Sequence, residues 1–300
     1  AIGFNKHGKA VKCYEFDNVM GIVDPKTAAR GERLAEVFKS LLEDPKLKTV
    51  SEYLGNVMIK DPEDSASFAE KYNTFRSPSD QIVKFISDRV SDGEAGVDIG
   101  CGTGNYTFPF AGQFKKLFGV EINEDLIGFA QERKKAVYGA ESRNCEFVRA
   151  DAVCMPSFKD GSVDAVWSVS TLHYLRGKRQ WHFLRECHRI LKKGGKLVID
   201  VGEFLDQHPS LWVKEYFPSL KKRYKDSLFL ADDYRRWLKE LGYQKFECVP
   251  VTYEAGEKDM FIRAGQRNPD LYLSDQMIKA NPAFWEMSPA EIQQGQNDIR

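Results

Sequence analysis

Three glycines at alternate positions follow a short apolar segment in the stretch V-D-I-G-C-G-T-G-N, residues 97–105. Because glycine has no Cβ, Gly100, Gly102 and Gly104 let the backbone turn sharply and lie flat against a ligand. A turn of this kind before a helix presents backbone N–H groups, which suit the phosphate or sugar of a nucleotide. The stretch therefore predicts a buried strand that leads into a nucleotide-binding turn.

Acidic residues at two further strand ends agree with this prediction. A dinucleotide-binding turn would carry its third glycine at position 105, where this chain has Asn. Glu121 ends the next apolar segment, 23 positions after Asp98, and Asp151 ends a third. A carboxylate at the tip of the second strand can accept hydrogen bonds from both hydroxyls of a ribose.

Five segments, in this order and spacing, resemble the motifs of the class I S-adenosylmethionine-dependent methyltransferases. They are the glycine turn, the segments that end at Glu121 and Asp151, the apolar segment 163–170, and R-I-L-K-K-G-G at residues 189–195. The resemblance covers about residues 77–264. It is nearest to the small-molecule group that includes the trans-aconitate and the ubiquinone/menaquinone methyltransferases, and it implies S-adenosylmethionine as cofactor.

The resemblance also implies which residues bind the cofactor. In the family an acid in the place of Asp151 accepts a hydrogen bond from the adenine amino group, and the next backbone N–H meets the ring. The segment Y-N-T-F-R-S-P, residues 72–78, resembles one that lies over the methionine end of the cofactor; the alternative is that its aromatic residues pack the start of a helix. The predicted cofactor-binding residues are Tyr72, Arg76, Asp98, Gly100, Cys101, Gly102, Gly104, Glu121, Ile122, Asp151, Ala152 and Ser168.

Strand and helix patterns alternate after residue 79, which predicts an α/β fold with parallel strands covered by helices. We expect a Rossmann-like, mostly parallel sheet of seven strands with helices on both faces, and a C-terminal antiparallel hairpin from 245–253 and 259–264. Residues 77–264 form the predicted domain. A helical extension, residues 1–76, precedes it, with helices predicted at 27–44 and 49–54, and a polar tail, residues 265–300, follows it.

The acceptor site is predicted from residues that the cofactor motifs leave over. Residues 203–230 form an insertion rich in aromatic residues, and we interpret it as a substrate lid; the alternative is that these residues pack against the sheet edge. Trp212 and Tyr216 are the predicted acceptor contacts in this insertion. His173 and Tyr174 follow the fourth strand and are predicted to line the same pocket, and His173 is also a candidate general base.

The amino-acid composition limits the kinds of partner that the protein is expected to bind. Lys plus Arg and Asp plus Glu both number 44, so the formal net charge is zero and there is no basic footprint for nucleic acid. No apolar run reaches the 18 residues or so of a membrane span. The six cysteines have no C-x-x-C or zinc spacing, which predicts reduced thiols, no metal and a cytoplasmic protein. We expect a small-molecule acceptor and make no prediction of oligomeric state.

Other classes of function remain to be weighed against this one. A nicotinamide-dependent oxidoreductase disagrees with the glycine spacing and with R-I-L-K-K-G-G. A catalytically silent partner subunit would be expected to have a damaged glycine turn or no ribose-binding acid. A protein or RNA methyltransferase is the main alternative, although the fourth-strand region carries S-T-L-H and no N/D-P-P-[YF] motif.

Overall fold

The computed structural model divides the chain into two units, Ala1–Ser65 and Ala66–Arg300, and each is described by itself. The residues that it describes are 2–4, 10–16, 19–22, 69, 72–73, 76–175, 177–200, 213–220, 231–249, 251, 257–262, 264–285 and 287–300.

The described part of the first unit is a small antiparallel sheet. Its strands are β1 (Ile2–Phe4), β2 (Ala10–Phe16) and β3 (Val19–Ile22), in the order β1-β2-β3. The prediction of a helical extension is therefore wrong over these residues, where β-branched and aromatic residues such as Val11, Tyr14 and Phe16 favour strands. The helices predicted at 27–44 and 49–54 lie outside the described residues.

A parallel sheet forms the centre of the second unit. Its strands are β4 (Gly93–Ile99), β5 (Phe114–Glu121), β6 (Cys145–Arg149), β7 (Val163–Ser168) and β8 (Leu191–Ile199). They pair in the order β6-β5-β4-β7-β8, and every pair is parallel. The Rossmann-like α/β fold is thus confirmed, whereas the predicted seven strands are wrong, since the described sheet has five.

Helix α1 (Asp80–Ser87) precedes the sheet, α2 (Glu124–Arg133) connects β5 to β6, and α3 (Lys178–Ile190) connects β7 to β8. Helices α4 (Val213–Tyr216) and α5 (Ala231–Glu240) follow the sheet. Asn123 caps α2, because its side chain accepts hydrogen bonds from the amides of Asp125 and Leu126. The segment after the glycine turn forms only a short 3-10 helix, Phe108–Phe110, which carries Pro109.

The predicted C-terminal hairpin is wrong over the described residues. Residues 244–249 form no strand, and residues 257–262 form turns. The Asp259 amide donates to Glu257 Oε1 at 3.0 Å and the Phe261 amide donates to the Asp259 carbonyl at 2.8 Å. These local hydrogen bonds replace those of a strand ladder.

The predicted polar tail is folded. It contains α6 (Asp275–Ala280), α7 (Pro282–Trp285) and α8 (Pro289–Ile299). These helices and the insertion around α4 bury one set of apolar side chains, the second core. Its buried members are Val213, Phe217, Leu220, Tyr272, Met277, Ala283, Phe284 and Met287.

Two further expectations concern the cysteines and the membrane. The thiols of Cys101, Cys145, Cys187 and Cys248 are free, whereas Cys154 is disulfide-bonded, against the prediction of reduced cysteines. Within the described ranges, no helix is both long enough and apolar enough to span a bilayer.

The main core is built around Trp167 of β7, and this predicts the cost of removing a neighbour. Phe110 is fully buried, with its ring centroid 4.9 Å from that of Trp167. We expect Phe110→Ala to lower the free energy of unfolding by about 3–5 kcal/mol, because it leaves a cavity. The matched control Phe246→Ala removes an exposed ring and should change stability by less than about 0.5 kcal/mol in urea unfolding.

Candidate functional site

The order of the strands places one crevice at the carboxyl edge of the sheet. The chain runs outward from β4 to β5 and β6, then returns to add β7 and β8 on the other side. In open α/β sheets ligands bind beyond the strand ends at such a reversal. The loops after β4 and β7, which contain the glycine turn and the segment 169–175, meet there.

The glycine turn has the predicted geometry. Gly100, Gly102 and Gly104 have φ values of +73°, +53° and +85°, which residues with a Cβ rarely adopt. A Cβ on Gly100 would overlap the Thr171 side chain, whereas one on Gly102 would meet no atom within 4 Å. The backbone at Gly102 is therefore open to a ligand, as a nucleoside site requires.

An arginine that the sequence analysis did not single out holds this turn. Arg133, at the end of α2, donates to the Thr103 carbonyl at 2.6 Å and to Asn105 Oδ1 at 2.8 Å. Its guanidinium also lies 5.4 Å from the centre of the Phe108 ring. In the sequence, only the position of Arg133 could have indicated this role, because the residue lies at the end of the helix that follows the Glu121 segment.

Glu121 lies at the tip of β5, beside the turn. Its carboxylate accepts hydrogen bonds from the amides of Gly102 at 3.1 Å, Ile122 at 2.8 Å and Asn123 at 3.0 Å. Burial raises its pKa and the three amides lower it. Two of these amides reach Oε1 and one reaches Oε2, so Oε2 keeps a lone pair that can accept a hydroxyl of a ribose.

Asp98 and Cys101 lie beneath the turn. Asp98 is 1% exposed, and Thr107 Oγ1 donates to its carboxyl group at 2.6 Å. Burial raises the pKa of Asp98 to about 7, the Thr107 hydroxyl lowers it, and the nearby charge of Glu121 raises it. Burial likewise holds the pKa of the Cys101 thiol well above its usual range. Both side chains support the turn from the interior.

Asp151 follows β6 and is paired with an arginine that sequence reasoning missed. Arg179 Nη2, on α3, lies 2.8 and 2.9 Å from the two carboxylate oxygens, and both side chains are 21% exposed. The Val153 amide donates to Asp151 Oδ1 at 3.1 Å. Arg179 thus fixes the orientation of the carboxylate. Ala152 is half-buried beside it, and Ile122 is 45% exposed, an apolar surface next to Glu121.

The segment before α1 lies against the turn. Thr103 Oγ1 and Asn73 Oδ1 are 3.4 Å apart, and the Arg76 guanidinium lies 5.0 Å from the centre of the Tyr72 ring. Burial raises the pKa of Tyr72 to about 12, with the charge of Glu121 among the smaller contributions. Tyr72 is therefore near the predicted site, whereas the guanidinium of Arg76 is paired with Asp259.

The remaining predicted residues fall into three groups. Ser168 is fully buried and donates to the Ile99 carbonyl at 2.8 Å, a contact between β7 and β4 that accounts for it without a ligand. His173 and Tyr174 lie in a 3-10 helix after β7, half-buried, with their ring centroids 4.1 Å apart. Tyr216, on α4, packs against the second core, and Trp212 lies outside the described residues.

One residue at the crevice has a strained backbone. Ser170, directly after β7, has φ +52° although it is not glycine. Its amide donates to Asp200 Oδ2, at the end of β8, at 3.3 Å. The strained turn sends the chain back over the glycine turn, so that Thr171 packs on Gly100.

Comparison with known sequences agrees with this geometry. The profile of the methyltransferase domain matches residues 97–199. The 27-O-demethylrifamycin SV methyltransferase of Amycolatopsis mediterranei is 33% identical over 115 residues, which are 38% of this chain and 39% of that protein. The demethylmenaquinone methyltransferase of Lactococcus lactis is 26% identical over 216 residues, which are 65% of this chain and 80% of that protein. The chain spans 39% to 64% of the length of the rifamycin enzyme and two further curated relatives.

A solved structure shares the fold. A methyltransferase from an antibiotic biosynthesis pathway of Anabaena variabilis superimposes with a TM-score of 0.62, at 24% identity. The alignment covers 75% of this chain and 86% of that one. At this identity the likeness is one of architecture.

The buried Asp98 predicts a dependence of stability on pH. In the unfolded chain its carboxyl group ionises near pH 4, but in the folded protein it keeps its proton up to about pH 7. Between these values the folded state binds more protons, so the free energy of unfolding falls as pH rises. We expect Asp98→Asn, which keeps the shape of the side chain, to reduce this fall.

The measurement is urea unfolding of both proteins at a series of pH values between 4 and 8. Glu121 is buried nearby with a raised pKa and contributes in the same direction, so the difference between the two proteins isolates Asp98. The same slope in both would show that Asp98 ionises normally in the folded protein.

Proposed function

We propose that this chain, whose residues 97–199 match the profile of the methyltransferase domain, transfers a methyl group from S-adenosylmethionine to a small-molecule acceptor. One observation carries the proposal. At the tip of β5, the Glu121 carboxylate is held by three backbone amides beside an open glycine turn. A ribose hydroxyl next to a flat ring fits this arrangement, and a nucleoside supplies both groups.

The residues present fit the cofactor. The open backbone at Gly102 leaves room for a ligand where a side chain would fill it. Glu121 would accept a ribose hydroxyl on Oε2, Asp151 would accept the adenine amino group, and Ile122 would cover a face of the ring. When bound, S-adenosylmethionine supplies a methyl group activated by its sulfonium. The protein needs chiefly to position the two reactants and to exclude water.

The second part of the proposal concerns the residues that bind the acceptor. The segment after β7 turns back over the crevice, and His173 and Tyr174 are the half-buried rings there. In our proposal they line the acceptor pocket, and His173 takes a proton from acceptors that must lose one. The zero net charge and the missing N/D-P-P-[YF] motif support a small molecule rather than nucleic acid.

The insertion would close this pocket. Tyr216 and Phe217 pack against helices α6–α8, so the second core supports α4 as a rigid body. Binding residues commonly lie on segments held over a rigid scaffold. We therefore propose that Tyr216 contacts the acceptor, and that Trp212 does so from the part of the insertion outside the described residues.

The experiment that tests this function incubates the purified protein with methyl-labelled S-adenosylmethionine and three acceptor pools. These are a metabolite extract, total RNA and a protein extract. We expect label in one or a few metabolites, each heavier by one methylene. Label in RNA or protein alone would overturn the small-molecule assignment, and cofactor binding without transfer to any pool would indicate a silent subunit.

Removing the Glu121 carboxylate should weaken cofactor binding. Each charge-assisted hydrogen bond lost costs roughly 1.5–3 kcal/mol, so we expect Glu121→Ala to raise the Kd of S-adenosylhomocysteine by about tenfold or more in calorimetry. Glu124→Ala is the matched control, because this carboxylate lies three positions on and is 75% exposed. Circular dichroism and the milder Glu121→Gln guard against loss of fold. Wild-type affinity in folded Glu121→Ala would contradict the assignment.

A substitution in the proposed acceptor site should affect turnover and not cofactor affinity. Tyr216→Ala should lower turnover of the labelled metabolite while the Kd of S-adenosylhomocysteine stays within a few-fold of wild type, because the residue is proposed to touch only the acceptor. Tyr243→Ala is the control, since that ring packs on His188 at the end of α3 remote from the strand tips. A clearly raised Kd of S-adenosylhomocysteine, with turnover unchanged at saturating cofactor, would show that Tyr216 contacts the cofactor and not the acceptor.

A further inference from the structure

A buried ion pair joins the segment before α1 to the C-terminal part of the chain. Arg76 Nε donates to Asp259 Oδ1 and Nη2 donates to Oδ2 at 3.3 Å, across 183 positions of sequence. The two side chains are 8% and 3% exposed. Tyr106, after the glycine turn, donates its hydroxyl to Asp259 Oδ2 at 3.1 Å and accepts the Ser79 amide at 3.0 Å. Three separate parts of the chain therefore meet at one carboxylate.

The Asp259 carboxylate is buried, so its charge needs a counter-charge and hydrogen bonds. A charge removed from water is tolerated only where it is paired and its oxygens accept hydrogen bonds. Arg76 and Tyr106 together satisfy both oxygens of Asp259, and burial raises its pKa while the Arg76 charge lowers it. If Asp259 lost its charge, the guanidinium of Arg76 would be left buried without a counter-charge and would have to move.

Backbone hydrogen bonds of Arg76 connect its position to that of the glycine turn. The Arg76 amide donates to the Tyr72 carbonyl at 2.9 Å, which closes a turn over residues 72–76. The Arg76 carbonyl accepts from Asn105 Nδ2 at 3.2 Å, and Asn73 lies 3.4 Å from Thr103 Oγ1. A shift of Arg76 would therefore move both contacts between this segment and the turn.

We propose that Asp259 is a positioning residue for the cofactor site, which acts through Arg76 to hold Tyr72 and Asn73 against the glycine turn. The inference rests on the proposed function, since it takes the glycine turn as the cofactor site. It also corrects the role expected for Arg76, because its guanidinium is paired with Asp259, while Asn73 of the same motif contacts Thr103 in the glycine turn.

The same carboxylate links the cofactor site to the second core. Met260 and Ile262, which follow Asp259, pack partly against that core. Asn281 Nδ2 donates to the Met260 carbonyl at 2.9 Å, and the Tyr272 hydroxyl donates to the Ile262 carbonyl at 2.5 Å. The position of residues 72–76 is thus tied to the body that carries α4.

A second bridge between the same parts of the chain offers a matched control. Arg89, just after α1, pairs with Glu247 at 3.0 Å, but the two side chains are 31% and 64% exposed. This pair touches neither Tyr72 nor the glycine turn in any described contact. Glu247→Gln therefore removes a charge between the same segments without disturbing the buried pair.

The experiment compares wild type, Asp259→Asn, Tyr106→Phe and Glu247→Gln by two measurements. The first is the Kd of S-adenosylhomocysteine by calorimetry. We expect Asp259→Asn to raise it about tenfold, Tyr106→Phe to raise it less, and Glu247→Gln to leave it unchanged. The second is hydrogen exchange of the peptide spanning residues 66–80 without ligand, which should be faster in Asp259→Asn and unchanged in Glu247→Gln.

A double-mutant cycle separates positioning from a general loss of stability. In a Tyr72→Ala, Asn73→Ala background, Asp259→Asn should no longer change the Kd, because the side chains through which it acts are gone. The same Kd change in both backgrounds, or unchanged exchange of the 66–80 peptide, would overturn the proposal. Should Asp259→Asn fail to fold, Tyr106→Phe carries the same tests. Wild type that binds no S-adenosylhomocysteine would refute the proposed function, while the exchange measurement would still decide whether Asp259 holds the segment.

Discussion

The candidate cofactor site depends on hydrogen bonds that join the ends of β4 and β5. The amides of Gly100 and Cys101 both donate to the Val120 carbonyl, at 2.7 and 3.0 Å, and the next glycine amide reaches the Glu121 carboxylate. The end of β4 is therefore joined to the end of β5 through the turn itself. Positive φ at the glycines makes this geometry possible, and a buried Asp98 beneath it fills the space that remains.

The cofactor half of the molecule could be predicted because its signals are local. Apolar segments beside Asp98, Glu121 and Asp151 predicted three parallel strands, which the structure places next to one another as β4, β5 and β6. Their order along the chain also supported the resemblance to the class I methyltransferases, which the comparisons confirm. Each strand was predicted from a short stretch of neighbouring residues, and only the resemblance needed the order of the motifs along the chain.

The contacts that the sequence analysis missed join distant positions. Arg179 lies 28 positions from Asp151, and Arg76 lies 183 positions from Asp259, so neither pair has a spacing that a single sequence reveals. The hairpin failed for a related reason. The second strand of the hairpin was predicted at residues 259–264, but the side chain of Glu257 accepts a hydrogen bond from the Asp259 amide, which a strand ladder would use.

The second core has a consequence for the order in which the protein is made. All five strands of the parallel sheet are present once residue 199 has been synthesised, whereas the core beneath α4 needs Met287 near the end of the chain. Domains generally begin to fold from the N-terminal side during synthesis. On the ribosome, the nascent sheet can therefore assemble while Phe217 still lacks the partners that bury it, which leaves an apolar surface exposed until the residues up to Met287 have emerged.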